Sequence, residues 1–313
     1  KDWLTNKVDR CVTGKVAKQQ CTGSLQLPLN NCGVMALDYF GVNGVATSIG
    51  HAPLVALISP SKGSRIAIGK ALTNIIWAPL EKGLKSVTLS ANWMWPCNNP
   101  GEDARLYDAV EACSTFAIDL GINIPTGKDS LSMKQKYKDK EVISPGTVII
   151  SAAANCNNIN NVIEPSFINN GDAIYYIDLS NAGLKLGGTA LAQTLGKIGC
   201  ETADLCDAKY FKKVFDTFQD LIKSNLITSG HDISSGGLIT TLLEMCFPQN
   251  KIGAKIDLSF YEQSDIVKLF FSENIGIVFQ AKQVVEKEFD IKEISYNKIG
   301  NVNDSGVLSL SLI

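Results

Sequence analysis

The feature that most constrains the fold is an alternation of strand-like and helix-like segments, broken once by a long polar stretch. Residues 155–171 are rich in Asn and hold no sustained apolar period, which marks a linker or a long loop. Strand and helix patterns alternate on both sides of this stretch, which is typical of layered α/β or α+β structure. The sequence therefore predicts two layered domains.

One predicted helix has unusually clear signals. Residues 102–120 carry acidic side chains in the first turn and apolar side chains at helical spacing, and Gly121 follows them. Before the polar stretch we also predict strands at 34–40, 45–49, 84–92 and 147–154 and a helix at 61–77. After it we predict strands at 173–179, 276–280 and 307–312, helices at 187–195, 207–224 and 237–247, and irregular structure between them.

The length agrees with a division into domains, because 313 residues exceed the comfortable size of one domain. We expect a connector at 1–25, a first domain at 26–155 and a second domain at 171–313.

Composition excludes several classes of function. The net charge is −2 and Lys and Arg do not cluster, so there is no basic surface for nucleic acid. The longest apolar runs are too short to span a membrane. The sequence shows no signal peptide and does not begin with Met, so we interpret it as a piece of a longer cytoplasmic protein.

The cysteines do not form a recognisable site. They stand without a C-x-x-C pair, at 11, 21, 32, 97, 113, 156, 200, 206 and 246, which argues against a disulfide framework and against zinc. Cys113 and Cys246 fall in apolar helical patterns and are expected to be buried thiols. A catalytic cysteine would need a basic partner, and only His51 and His231 exist. We therefore assign no catalytic residue.

Three polar segments combine the chemistry that a phosphorylated ligand needs. Residues 90–96 read Ser-Ala-Asn-Trp-Met-Trp-Pro, and at least one of the two tryptophans is expected to fill the core. Residues 127–133 read Gly-Lys-Asp-Ser-Leu-Ser-Met, a flexible turn with an ammonium, a carboxylate and hydroxyls. Residues 229–237 open the helix predicted at 237–247, whose N-terminus would offer N–H groups and a positive dipole end to an oxyanion.

Seven motifs in one order carry a more specific resemblance. They are Leu-Thr-Asn-Lys-Val-Asp-Arg at 4–10, Val-Thr-Gly at 12–14, Gln-Gln-Cys at 19–21, Ala-Leu-Thr-Asn at 71–74, Ala-Asn-Trp-Met-Trp at 91–95, Gly-Lys-Asp-Ser-Leu-Ser-Met at 127–133 and Gly-His-Asp-Ile-Ser at 230–234. Together they resemble phosphoribosylformylglycinamidine synthase, the large glutamine- and ATP-dependent ligase family of purine biosynthesis. The chain resembles the second of two related halves of its synthetase region.

The resemblance implies a fold, an activity and partners. The fold would be α/β (α+β) and aminoimidazole-ribotide-synthetase-like, with a first domain that pairs its sheet with a sister half. The parent enzyme would use ATP and glutamine to convert formylglycinamide ribonucleotide to formylglycinamidine ribonucleotide. The first synthetase half and the glutaminase domain would be the missing partners, and two copies of this chain could pair as a homodimer in their place.

The resemblance also implies a nucleotide pocket for ATP or ADP. It assigns nucleotide or phosphate contacts to Asn30, Asn92, Lys128, Asp129, Ser130 and Ser234, and magnesium contacts to Asn31, Asn74 and Asp232.

This metal site departs from the family pattern. Many members have Ala-Asp where this chain has Asn30 and Asn31, and a Glu where it has Lys70. Magnesium prefers hard oxygen ligands, of which carboxylates supply the charge compensation. We therefore expect a degraded magnesium site in which Lys70 is either an ordinary surface lysine or takes the place of the ion.

Two other functions remain open. The chain could be a degenerate scaffold half with an empty nucleotide pocket, or a free-standing small-molecule kinase or synthetase of the same fold. The specific motifs at 91–95 and 127–133 argue against the second of these alternatives.

Overall fold

The computed structural model describes residues 14–259, 261 and 265–312. The motif at 4–10, the first two residues of the motif at 12–14 and the first part of the expected connector lie outside these residues.

Strands and helices alternate through the described part of the chain. The strands are β1 Val16–Lys18, β2 Cys32–Ala36, β3 Gly44–His51, β4 Thr88–Met94, β5 Asn123–Ser130, β6 Lys134–Lys136, β7 Glu141–Ile143, β8 Thr147–Cys156, β9 Ala173–Asp178, β10 Ile227–Asp232, β11 Gly253–Asp257, β12 Gly276–Ala281, β13 Asn297–Asn303 and β14 Leu308–Ser311. The helices are α1 Pro53–Ile58, α2 Pro60–Ile75, α3 Glu102–Leu120, α4 Ala190–Thr194, α5 Ala208–Lys223, α6 Gly237–Cys246, α7 Ile266–Phe271 and α8 Val285–Ile291.

The first six-stranded sheet has the order β1-β2-β3-β8-β4-β5. Its strands are antiparallel except for the parallel pair β4 and β5. Along β3 and β8 buried and more exposed residues alternate, so one face of the sheet is covered and the other is open. Helix α2 packs on the covered face, where the Ser48 hydroxyl donates to the Ala71 carbonyl at 2.6 Å.

The open face is polar as well as apolar. It carries hydroxyl side chains on neighbouring strands, including Thr47, Ser90 and Ser151, next to the exposed Ile49. The register places Ser90 opposite both Ser151 of β8 and Thr126 of β5. The sheet face that the resemblance assigns to pairing with a sister half is therefore a mixed face that is rich in hydroxyl groups.

Helix α3 begins and ends where the sequence predicts. Glu102 and Asp103 occupy its first turn, where the helix dipole favours negative charge. Gly121 takes a left-handed conformation with φ of 72° and its N–H bonds the carbonyls of Ala117 and Ile118. A side chain at Gly121 would strain this termination.

The second six-stranded sheet has the order β10-β12-β9-β13-β11-β14 and is covered on both faces. One core includes Phe211, Phe215 and Phe218 of α5 against Phe279 of β12. A second core on the opposite face includes Leu238, Leu242 and Met245 of α6. Burial on both faces explains why β9 and β12 read as continuous apolar runs.

Two predictions about local structure are wrong. The flexible turn expected at 127–133 begins only after Ser130, because Gly127 to Ser130 form the end of β5. Glycine is required at 127 because a Cβ there would lie 2.2 Å from the Ala91 carbonyl oxygen. The irregular structure expected in the second half instead includes β10, β11, β13, α7 and α8.

The two sheets share one continuous core through α5. Gln219 is 1% exposed, accepts from the Leu80 N–H at 2.8 Å and donates to the Ile76 and Ala78 carbonyls at 2.6 and 3.1 Å. These bonds pair backbone N–H and C=O groups of the segment that follows α2, and they hold this segment against α5.

Within the described residues no helix is long and apolar enough to cross a membrane.

Candidate functional site

A cavity of about 770 Å³ lies where the open face of the first sheet meets the loop between β10 and α6. Its lining includes amide, ammonium and hydroxyl groups, contributed by Asn30, Asn31, Lys70, Asn74, Ser234 and Ser235. Hydroxyls from the sheet complete the wall, contributed by Thr47, Thr88, Ser90, Thr126 and Ser151. Such a cavity is large enough for a nucleotide-sized ligand.

The loop between β10 and α6 is shaped by two glycines. Gly236 and Gly237 have φ of 95° and 71°, which L side chains rarely adopt. A Cβ at Gly237 would also lie 2.5 Å from the Phe270 carbonyl oxygen. This tight turn lies between α6 and the cavity-lining residues Ser234 and Ser235.

Behind the cavity lies a buried charge network centred on His231. Its Nδ1 is 3.2 Å from Asp232 Oδ1 and its Nε2 is 3.1 Å from Glu244 Oε2. Burial alone would lower the pKa of His231, but the hydrogen bonds with the two carboxylates overcome it and raise the pKa to about 9. His231 is therefore a cation at neutral pH, and Asp232 already has a positive partner.

The expected metal residues are only partly together. The Asn31 side chain donates to Asp232 Oδ1 at 3.0 Å, and Asp232 is 2% exposed and does not line the cavity. Asn74 lines the cavity and donates to the Ile49 carbonyl at 2.8 Å, while its Oδ1 is buried without a hydrogen-bond partner. Asn30 donates to Glu164 Oε2 at 2.8 Å, and its Oδ1 is likewise buried and unpartnered.

Lys70 lines the same cavity as Asn31 and Asn74, and its side chain is 14% exposed. Its ammonium lies 4.0 Å from Glu273 Oε2, so its ion-pair partner is Glu273. Glu273 is anchored in turn, because its Oε1 accepts from the backbone N–H groups of Ala190 at 2.7 Å and Gly236 at 2.9 Å.

These residues do not fit a magnesium ion. Asp232 is neutralised by His231 and bonded by Asn31, and Glu273 faces an ammonium. Magnesium would need several oxygen ligands at about 2.0–2.1 Å with carboxylates to balance its charge. Among residues 14–259, 261 and 265–312, no three His, Cys, Asp or Glu side chains converge on a point where a metal could bind.

The other expected phosphate residues lie beside the cavity. Asn92 and Lys128 are register partners, one two-residue step beyond the cavity residues Ser90 and Thr126 on the same strands. The Lys128 ammonium donates to the Ser130 hydroxyl on its own strand. Asp129 lies between them in β5, so strand alternation directs it to the opposite face. The structure thus separates Asp129 from Lys128 and Ser130, which the sequence analysis placed together.

Trp93 and Trp95 belong to the core. Trp95 is 1% exposed, and Trp93 is half-buried against the main core. The expectation that at least one of them fills the core is confirmed. Cys113 and Cys246 are buried, as expected.

Sequence reasoning missed Glu273, the carboxylate nearest to Lys70. The available signal was an acidic residue three positions before the apolar strand β12, because a buried carboxylate almost always has a specific partner. It also missed Lys18, which is 2% exposed and donates to the Ile163 carbonyl. Burial lowers the pKa of Lys18, while charge interactions with Cys32, Glu164 and Asp232 raise it in part.

Two domain-family models match nearly all of the chain. One, described as the FGAR-AT PurM_N-like domain, matches residues 1–155. The other, described as the AIR synthase related protein C-terminal domain, matches residues 169–313.

Curated relatives extend the similarity. The probable phosphoribosylformylglycinamidine synthase of Arabidopsis thaliana, named chloroplastic/mitochondrial, is 41% identical over 100% of this chain and 22% of its own length. The phosphoribosylformylglycinamidine synthase of Homo sapiens is 40% identical over 90% of this chain and 21% of its own length. The chain thus spans about a fifth of the length of these relatives.

Solved structures of low sequence identity share the fold. Thermotoga maritima PurL complexed with FGAR has a TM-score of 0.68 and 13% identity, over 94% of this chain and 47% of that one. The same protein complexed with ADP has a TM-score of 0.65 and 13% identity, over 99% and 46%. At these identities the likeness establishes the fold alone, and it agrees with the predicted α/β, aminoimidazole-ribotide-synthetase-like class.

Proposed function

Since the chain belongs to the phosphoribosylformylglycinamidine synthase family, we propose that it forms one synthetase half of such an enzyme and binds nucleotide phosphate in the cavity beside Lys70. The complete enzyme would transfer the γ-phosphoryl group of ATP to the amide oxygen of formylglycinamide ribonucleotide. Ammonia released from glutamine would then attack the activated carbon and expel phosphate, leaving formylglycinamidine ribonucleotide, ADP and glutamate. Binding and orientation of phosphate account for most of the catalysis in such a reaction.

One observation carries the nucleotide part of this proposal. The cavity combines the Lys70 ammonium, the hydroxyls of Ser234 and Ser235 and the hydroxyl-rich open face of the sheet. Ammonium and hydroxyl groups donate the hydrogen bonds that phosphate oxygens accept. The glutaminase domain and the other synthetase half would come from the remaining length of the parent protein, and we propose no catalytic base within this chain.

Isothermal titration of the chain with ADP tests the proposal. We expect saturable binding that is strongly weakened in Ser151→Phe, because this exposed residue lines the cavity and a phenyl ring there would obstruct part of it. Ser114→Phe is the matched control, since Ser114 is exposed on α3 and remote from the cavity lining. Equal binding by both variants would place the nucleotide elsewhere.

A scaffold half with an empty cavity is the second candidate. It is favoured by the internal pairing of charges, since Glu273 faces Lys70 and Asp232 faces His231 without any ligand. The same titration decides between the two functions, because a scaffold half would show no heat of binding with ADP.

We propose a reducing compartment, and specifically the cytoplasm, as the location. The eight cysteines among the described residues are all free thiols, which fits reducing conditions. The Arabidopsis relative is named for organelles, so imaging of the full-length protein in its own cells is the direct test.

A further inference from the structure

We infer that Lys70 excludes divalent cations from the cavity and takes over their charge, so that phosphate binds there without a metal. This inference rests on the proposed phosphate site and adds how the charge of the phosphate is balanced.

The Lys70 ammonium has an ion-pair partner but makes no hydrogen bond with any other side chain that the structure describes. At 4.0 Å its contact with Glu273 is an ion pair too long for a hydrogen bond. Within the described part of the chain, Lys70 Nζ makes no side-chain hydrogen bond, although the side chain is largely buried. An ammonium has three N–H donors, and those of Lys70 face the cavity, because Lys70 is part of its lining. The ammonium is therefore ready to donate to a ligand.

A second, independent observation concerns Asn74 on the same wall of the cavity. Asn74 stands four residues after Lys70 in α2, so both side chains leave the same helix face. Asn74 Oδ1 is buried and has no donor, because its amide nitrogen is held by the Ile49 carbonyl. An ammonium that reaches Asn74 Oδ1 and one phosphate oxygen would satisfy both groups at once.

The carboxylates on which a metal would depend already have partners. Glu273 accepts two backbone N–H bonds through Oε1 and faces Lys70 through Oε2. Asp232 lies between the His231 ring and the Asn31 amide. These two carboxylates thus already have cationic neighbours, and a divalent ion near them would meet Lys70 instead of an unpaired acid. Phosphate, being an anion, meets no such repulsion.

The test compares the unmodified chain with Lys70→Glu by titration with ADP, in EDTA and in magnesium. We expect the dissociation constant of the unmodified chain to change less than about threefold between the two buffers. We expect Lys70→Glu to bind at least about tenfold more weakly in EDTA, a factor equal to about 1.4 kcal/mol, and to recover when magnesium is added. Lys62→Glu is the matched control, because it makes the same charge change in the first turn of α2 away from the cavity lining.

A second measurement does not depend on nucleotide. The electron paramagnetic resonance signal of free Mn²⁺ should persist with the unmodified chain and with Lys62→Glu, and should decrease with Lys70→Glu. Circular dichroism of each variant confirms that it is folded.

A magnesium requirement in the unmodified chain, or Mn²⁺ binding by it, overturns the inference and leaves the proposed nucleotide site standing. No ADP binding in either buffer overturns the proposed function, and the Mn²⁺ measurement then still decides whether Lys70 excludes metal. Failure of Lys70→Glu to take up Mn²⁺ would overturn the role of Lys70.

Discussion

The charge on His231 can be measured directly, because the chain contains only two histidines, His51 and His231. Their ring protons should give two separate titration curves by nuclear magnetic resonance. The hydrogen bonds to Asp232 and Glu244 raise the pKa of His231 to about 9 against the opposing effect of burial. Burial, followed by the nearby charge of Lys70, lowers the pKa of His51 below 6.5. One curve should therefore lie well above 6.5 and the other below it.

The same shift predicts how stability depends on pH. A rise in the pKa of His231 from 6.5 to about 9 corresponds to about 3 kcal/mol, since one pKa unit is worth about 1.36 kcal/mol. Because the pKa is higher in the folded state, this contribution is fully present below pH 6.5 and is lost as the pH rises through about 9. It should be half gone near the middle of that range.

The assay is urea unfolding of the unmodified chain and of His231→Gln at pH 6, 8 and 9.5. The difference in free energy of unfolding between the two proteins should shrink as the pH rises. His51→Gln is the matched control: its effect should have the opposite dependence, because a lowered pKa destabilises the folded state at low pH. A resonance of His231 that titrates near 6.5, or a difference independent of pH, would refute the reasoning about the buried network.

Three further predictions follow from the fold and the proposed role. Gln219→Met should lower the free energy of unfolding by about 2–4 kcal/mol, because it leaves one buried N–H and two carbonyls without partners; urea unfolding checks this, and the exposed Gln193→Met should have little effect. The chain alone should form no product from formylglycinamide ribonucleotide, ATP and ammonium, and any formylglycinamidine ribonucleotide detected by chromatography would contradict the need for the other half. Because the open sheet face exposes apolar side chains such as Ile49 beside its hydroxyl groups, two copies of the chain should pair through it, and sedimentation at tens of micromolar, a range set by typical interface affinities, should give a dimer. A monomer at that concentration would count against this pairing.

Local patterns by themselves determined most of the secondary structure. Helix α3 has the bounds that its acidic first turn and Gly121 predict, and α5 and α6 agree with prediction to within one residue at each end. These elements combine a clear apolar period with residues that end a helix, and both signals are local. Short strands such as β11 and β13 were missed because they form by pairing with segments that are distant in sequence, and local patterns do not show this pairing.

Only the tertiary structure decided which polar residues share a site. The sequence grouped Lys128, Asp129 and Ser130 in one turn, but the alternation of β5 divides them between two faces. It associated Lys70 with Asp232, whereas the folded chain pairs Lys70 with Glu273 and Asp232 with His231. Charge pairing in the interior depends on how distant segments pack together, and the order of residues along the chain does not specify that arrangement.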